Sequence, residues 1–343
     1  MGLRKSATLS RPSGRSARLT VALFRSIGKQ LLPPFQEYLE GGQIYVEPPT
    51  QLIFLGGGKT KQSAKRLLSI RDAFLKIPEN PALKSRSILL AERVNTFHLS
   101  RPAYSNLLAF EIDFAQLCEL ILLFSESQGS IAELGAFSMM DELAAKMLVV
   151  VRDYHLKEDS FIKLGPLKHL TGKYGPQAEF ILNDDETKMH LNSIKDLDMN
   201  VLRDRLTPAI NARFALTKEK TTFDANRRGH IAKLLVGLVQ IFGGLTADEL
   251  VGLVVNFGIE TDVDDVDRLM LCAEAAGWVI KEQRGFVSYY FALPTDADAL
   301  VLKYKKDSPI TNSIRRKEFY REHWKENDDQ RFTGISKFAG GTA

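Results

Sequence analysis

The stretch Leu120-Ile121-Leu122-Leu123-Phe124-Ser125-Glu126-Ser127-Gln128-Gly129-Ser130-Ile131-Ala132-Glu133-Leu134-Gly135-Ala136-Phe137-Ser138 decides the fold. Its first five residues are apolar without alternation, the pattern of a strand buried on both faces. Gly129 permits a tight turn, Ser130 is placed to cap a helix predicted from Ser130 to about Ala145, and Glu133 then falls in the first turn of that helix. A second apolar strand, Met147 to Val151, follows.

Upstream the same grammar repeats. Gln51-Leu52-Ile53-Phe54-Leu55 reads as a buried strand running into Gly56-Gly57-Gly58, and Gln62 to Lys76 as an amphipathic helix with Leu67, Leu68, Ile70, Ala73 and Phe74 on its apolar side. A weaker strand at Ile88 to Ala91 and a long loop through Pro102 lead to a helix from about Tyr104 to Leu117. Apolar strands alternating with helices predict an α/β fold, a Rossmann-like parallel sheet covered on both faces, with ligands at the carboxyl ends of the strands.

Downstream, Asp184 to Thr217 reads as a polar helical spacer. Between Phe223 and Leu293 three helices, around Ile231 to Phe242, from Thr246, and from Val263 to Ala276, precede a hairpin turning at Gln283-Arg284-Gly285, which is the winged-helix pattern. The third helix opens with Asp262, Asp264, Asp265 and Asp267, which repel phosphates, so docking or dimerisation competes with DNA binding for this module. The division predicted is a basic N-terminal extension with a short helix (1–49), a catalytic domain (50–183), a helical spacer (184–221), a winged helix (222–295) and a basic C-terminal tail (296–343).

The 343 residues, 44% hydrophobic and 26% charged, are ordinary for a globular protein of two domains. The longest nearly apolar stretch, Leu234 to Leu245, is too short to span a bilayer, and no signal segment opens the chain, so no membrane and a cytoplasmic location are expected. Cys118 and Cys272 sit in apolar contexts and read as core residues. The six histidines show no paired ligand spacing, so no metal is expected. The net charge is +4, but the first thirty residues carry Arg4, Lys5, Arg11, Arg15, Arg18, Arg25 and Lys29 with no acid. A second basic region includes Arg315, Arg316 and Lys317. Clustered cations suit phosphates, and Arg284, Arg315, Arg316 and Lys317 are the candidate nucleic-acid contacts.

Cleaving a bond between a ribose C1′ and a base needs an anion beneath the anomeric carbon, as nucleophile or as stabiliser of an oxocarbenium-like transition state. Glu133 suits either role. The competing reading is that Ser130 and Glu133 form a capping box with no chemistry. A helix start at a carboxyl strand end, the helix dipole and the small residues Gly135 and Ala136 favour chemistry. Ser125, Ser127, Gly129 and Ser130 are candidates to hold ribose or phosphate, together with the amides of Gly56, Gly57 and Gly58. Gly56-Gly57-Gly58-Lys59-Thr60 is not a phosphate-binding loop, because its earlier glycine position is Ile53. Glu111 is a further candidate to place substrate, with an ordinary helix glutamate as its alternative.

Leu120 to Ser138, with the Phe54-Leu55-Gly56-Gly57 turn before it and Ser160-Phe161-Ile162-Lys163-Leu164-Gly165-Pro166-Leu167 after it, resembles the retron effectors that pair a nucleoside deoxyribosyltransferase-like domain with a winged helix. The resemblance runs through residues 50 to 295. It implies an N-glycosidase in antiphage defence, held inactive by a retron reverse transcriptase and multicopy single-stranded DNA (msDNA), in an oligomer or larger assembly, with NAD as substrate and no cofactor. Glu133 takes the family's catalytic position, and Glu111 matches a family glutamate on the preceding helix. Ser127 stands where true deoxyribosyltransferases carry a base-handling aspartate, which favours hydrolysis of a substrate with a cationic leaving group, such as the nicotinamide of NAD. Two other readings stay open: a nucleic-acid-binding regulator whose first domain senses a nucleotide without turnover, and a phosphoribohydrolase acting on a purine nucleoside monophosphate.

Overall fold

The computed structural model describes residues 39–339 apart from 49–50, 85, 91–102, 158, 191–192, 217–218, 256, 296, 307 and 309–311. The short helix predicted before Pro33 and the basic residues up to Lys29 lie outside the described residues, as does most of the loop through Pro102. The first half runs β1 (Leu39–Val46), β2 (Leu52–Gly56), α1 (Ile70–Leu75), β3 (Ser87–Leu90), α2 (Leu107–Leu117), β4 (Leu120–Phe124), α3 (Gln128–Ser138), α4 (Asp141–Ala144), β5 (Met147–Arg152), α5 (Lys168–Tyr174) and β6 (Glu179–Leu182).

Five of these strands form a wholly parallel sheet in the order β3-β2-β4-β5-β6. Every residue of β2, β4 and β5 is buried, which is why these strands read as unbroken apolar runs. Their side chains alternate between two cores. Phe54, Ile121, Leu123 and Val149 pack with Phe110, Phe114, Leu134 and Phe137 of α2 and α3. Ile53, Leu55, Leu122 and Leu148 pack with Ile70 and Phe74 of α1 on the other face. The chain leaves β2 toward β3 and returns on the other side to β4, so the strand order reverses between β2 and β4. Ligands bind at such reversals in open α/β sheets.

The second half runs α6 (Met199–Phe214), β7 (Thr221–Thr222), α7 (Arg228–Phe242), β8 (Gly244–Leu245), α8 (Ala247–Val255), α9 (Val263–Ala275), β9 (Val279–Arg284), β10 (Val287–Ala292), β11 (Leu300–Tyr304), α10 (Ser313–Asn327) and α11 (Asp329–Ala339). The segment expected as a spacer does not span two parts. Leu202, Leu206 and Ile210 of α6 are fully buried in the second sheet core, each burial contributing about 1.5–3 kcal/mol. From α7 to β10 the chain makes a helix, a short strand, two helices and a hairpin, and β8, β10 and β9 form an antiparallel sheet in that order.

Helix α9 lies against α2. Arg228 at the start of α7 reaches the Asp113 carboxylate of α2 with Nε at 2.8 Å and Nη2 at 2.8 Å, and the Asp265 carboxylate of α9 with Nη2 at 3.0 Å. Tyr104 donates its hydroxyl to Asp113 at 3.0 Å, and that oxygen is 3.1 Å from the Arg268 carbonyl of α9. Three of the four acids that open α9 therefore serve the fold: Asp262 accepts the Asp265 amide at 2.7 Å as the helix cap, Asp265 joins this network, and Asp267 accepts the Lys281 ammonium at 3.0 Å.

The described residues beyond 296, where a basic tail was expected, are folded. β11 pairs with β1, and α10 and α11 bury Tyr320, Trp324, Ile335 and Phe338. Trp324 donates its indole N–H to the Phe242 carbonyl at 2.8 Å. Of the basic residues that suggested a tail, Arg316 is part of this packing, 3.6 Å over the Tyr304 ring, and Arg331 further on lies 3.9 Å over Trp324 while bonding Glu249 at 2.7 Å. Among the described residues no helix is long and apolar enough to cross a membrane.

Candidate active site

The site is built from the turns that leave β2 and β4 at the strand-order reversal. Helix α3 is capped by Ser127, whose Oγ accepts the Ser130 amide at 3.1 Å, while Ser130 Oγ accepts the Ser127 amide at 3.0 Å. The capping box is therefore the pair Ser127 and Ser130, not Ser130 and Glu133. This moves the helix start back to Gln128 and puts Glu133 in the second turn, so the expectation of a first-turn carboxylate held by the dipole does not stand. It also removes the capping explanation for Glu133.

Glu133 is half-buried, and its Oε2 is buried against the end of β2. A Cβ placed on Gly56 would sit 2.5 Å from Glu133 Oε2 and 2.5 Å from Leu123 Cδ1. Only glycine at position 56 leaves room for the carboxylate over the carboxyl end of the strand. Gly57 is equally constrained: its φ is +152°, and a Cβ there would come within 2.9 Å of Phe124 Cβ. A Cβ on Gly135 would also meet nothing within 4 Å, but two residues along the helix turn it about 200° away from Glu133, so this opening is not beside the carboxylate.

The other predicted site residues separate into those near Glu133 and those with structural work. Ser127 donates its Oγ to the Gly57 carbonyl at 3.1 Å, tying the two turns together. Ser130 is 1% exposed and accepts the amides of Glu126 and Ser127. These two hydroxyls hold the loop, which opposes the expectation that they bind ribose or phosphate. Ser125 is buried at the end of β4, where its amide donates to the Val150 carbonyl, and Gly129 is exposed in the first turn of α3. The Gly58 amide donates to Glu126 Oε1 at 3.0 Å and so does not line a cleft as expected. Glu111 is 5% exposed on α2, which covers the same sheet face as α3.

Glu126, which no motif in the sequence marks, also builds the site. Its carboxylate crosses from the β4 turn to accept the amides of Gly58 at 3.0 Å, Ile70 at 2.7 Å and Arg71 at 3.0 Å. The start of α1 is thus occupied by the protein's own anion. Arg71 closes the other side, donating Nε to the Gly58 carbonyl at 2.8 Å and Nη1 to the Leu55 carbonyl at 3.0 Å. Asp72 accepts the amides of Lys61 and Leu68 and the Lys76 ammonium. Burial pushes its carboxyl up, but Lys76 and the two amides outweigh this and hold it below the usual range. These bonds also explain why α1 begins at Ile70: residues 57 to 69 form a loop pinned by Glu126 and Asp72 where an amphipathic helix from Gln62 was expected.

The predicted phosphate contacts fare unevenly. Arg316 is 3% exposed beneath its own helix, Lys317 pairs with Asp298 at 2.6 Å, and Arg284 lies 2.6 Å from Glu282, while Arg315 is exposed. A cavity of about 850 Å³, lined in part by Gln116, Glu119, Lys146, Arg227 and Lys233, opens at the amino ends of β4 and β5, the opposite edge of the sheet from Glu133.

The fold and site define a parallel α/β protein with a carboxylate at the strand-order reversal. The family model of the STM3845 retron effector protein matches residues 67–281, more than half of the chain, and the chain belongs to that family. Over 166 residues it is 28% identical to an Escherichia coli protein named "Retron Ec73 putative ribosyltransferase/DNA-binding protein", covering 46% of this chain and 51% of that protein. Over 92 residues it is 33% identical to the similarly named retron Ec86 protein of Escherichia coli, covering 27% of this chain and 30% of that one. The matched segments span about half the length of the first relative and under a third of the second.

Proposed function

We propose that this retron effector is an N-glycosidase that hydrolyses the N-glycosidic bond of NAD or a related nucleotide, with Glu133 as the reactive carboxylate. The observation that carries the reading is the placement of Glu133: freed of capping by Ser127 and Ser130, its carboxylate lies over Gly56 at the carboxyl end of the strand where the sheet order reverses. An anion held there can meet an anomeric carbon from below as nucleophile or charge stabiliser. The ribosyltransferase in the relatives' names, which belongs to those proteins, agrees with chemistry at a ribose C1′. Glu111 helps place the substrate from α2.

Residues 50–183 and α6 form the catalytic domain in this reading, and residues 222–295 a winged helix, supported by the β8-β10-β9 sheet and the helix order. Because α9 packs on α2 through Arg228, Asp113 and Asp265, this module acts as a docking element and does not enter a major groove with its third helix. The effector is held silent in an assembly with a reverse transcriptase and msDNA and acts in the cytoplasm as an antiphage toxin. The alternative, a nucleic-acid-binding regulator that senses a nucleotide without turnover, draws on the DNA-binding part of the relatives' names.

The test is chromatography of a panel of NAD, nucleosides and nucleotides incubated with the protein, alone and with its retron partners, against the near-isosteric Glu133→Gln. Release of free base by the wild type and none by the variant is the expected result. Equal release by both would overturn the assignment, and tight binding without turnover in every combination would favour the regulator.

A further inference from the structure

Strand β1 is the centre of a three-stranded antiparallel sheet, β11-β1-β7, formed by segments far apart in sequence. Ile44 and Val46 point inward and are 2% and 4% exposed. Tyr45 therefore faces outward, paired across the sheet with Val301 on one side and Thr222 on the other. The two cations nearest its ring come from both neighbours: Lys303 of β11 has Nζ 5.4 Å from the ring centroid, and Lys220, just before β7, has Nζ at 5.6 Å. Both lysines are exposed, and among the described residues neither makes an ion pair. Lys305 and Lys306 follow just beyond β11, also exposed. The carboxylates at the margin are Glu219, exposed beside Lys220, and Glu47, which faces the cavity that Lys233 lines. The seven cations and no acids of residues 1 to 30 also join the chain ahead of β1.

We propose that this outward face is a platform for single-stranded nucleic acid, in which a base stacks on Tyr45 and the adjoining phosphates pair with Lys220 and Lys303. A half-buried aromatic on the outward face of a central strand, with two exposed lysines against its ring, suits single strands without reading sequence: a base can take the place of an ammonium on the ring face, and the displaced ammonium groups neutralise the backbone. Duplex fits less well, because stacked bases are not available to the ring. Arg316 and Lys317, expected from the sequence to make such contacts, are committed to Tyr304 and Asp298. The inference adds a surface to the nucleic-acid half of the proposed function and is independent of the hydrolase half.

The test is fluorescence anisotropy of a fluorescein-labelled oligo-dT with the full chain in the Glu133→Gln background, so that catalysis plays no part. Tyr45→Ala is expected to weaken binding about 5- to 150-fold, the loss of one base stack, while Tyr45→Phe keeps the ring and stays within about twofold. Lys220→Gln with Lys303→Gln is expected to reduce the slope of log K against log salt by about 1.4, two phosphates at about 0.7 each for a single strand. Thermal unfolding of each variant checks the fold, and the exposed lysine pair supplies the test should Tyr45→Ala unfold. Failure of the parent chain to bind the oligonucleotide, or binding by Tyr45→Ala and the lysine pair with unchanged affinity and salt slope, overturns the proposal. So would unchanged oligonucleotide binding with loss of a protein partner, which would assign the face to a protein.

Discussion

Gly56→Ala tests the geometry of the active site whatever the substrate proves to be. The new methyl would lie 2.5 Å from Glu133 Oε2 and 2.5 Å from Leu123 Cδ1. Ordinary contact begins nearly 1 Å further out, so both side chains must retreat by most of an ångström. Leu123 sits on a central strand with no free space, whereas the glutamate is the far end of a flexible chain and takes more of the movement. Overpacking of this kind costs about 1–3 kcal/mol, and a catalytic group displaced by about 1 Å loses on the order of 100-fold in rate. Urea unfolding should show the stability loss, and turnover should fall in kcat with little change in KM. A double-mutant cycle isolates the contact: in the Glu133→Ala background, where the carboxylate is gone, the same Gly56→Ala change should be milder by roughly 0.5–3 kcal/mol. A coupling of zero, or a Gly56→Ala enzyme at wild-type rate, would refute the placement of the carboxylate over this strand end.

Other residues give independent checks. Glu126→Gln removes the charge and one acceptor oxygen from three amides and should lower the unfolding free energy by about 1.5–3 kcal/mol, with faster amide exchange at Gly58, Ile70 and Arg71. Lys233 is buried under the Trp278 ring, and burial pushes its ammonium down to about 8 with Glu47 opposing. At pH 7 it is therefore protonated at a cost of about 3 kcal/mol relative to the unfolded chain, so Lys233→Met should raise the unfolding midpoint in thermal scans, and a drop would show that the ammonium has a partner it needs. His230 Nδ1 accepts the Asp224 amide at 3.1 Å, and burial, then Arg227, hold its pKa below 6.5. The unfolded chain then binds the proton more readily, so stability should fall as the pH drops below about 6.5, and His230→Gln should flatten that part of the profile.

The parallel sheet was legible because strands covered on both faces must be apolar throughout, and Leu52 to Leu55, Leu120 to Phe124 and Met147 to Val151 have no other use for such runs. Glu133 stood out for its position after one of them. What misled was local: Ser127-x-x-Ser130 and Ser130-x-x-Glu133 both satisfy the spacing of a capping box, and the bond from Ser127 to the Gly57 carbonyl, seventy residues away in sequence, selects the earlier one. The same non-local logic shortens α1, whose first amides go to Glu126. The C-terminal residues read as a solvated tail because lysine and arginine dominate them, and nothing in a single sequence says that Arg316 and Arg331 will lie on aromatic rings. β1 is invisible for a similar reason, since its partners come from residues 221–222 and 300–304.

Glu133-dependent NAD hydrolysis is tested most simply by the NAD content of cells induced for this effector, together with release of nicotinamide and ADP-ribose, with Glu133 and with Glu133→Gln, in the presence and absence of its retron partners. NAD loss is expected with Glu133, none with the glutamine variant at equal expression, and silence when the partners are present. Intact NAD with toxicity that persists in Glu133→Gln would contradict this expectation.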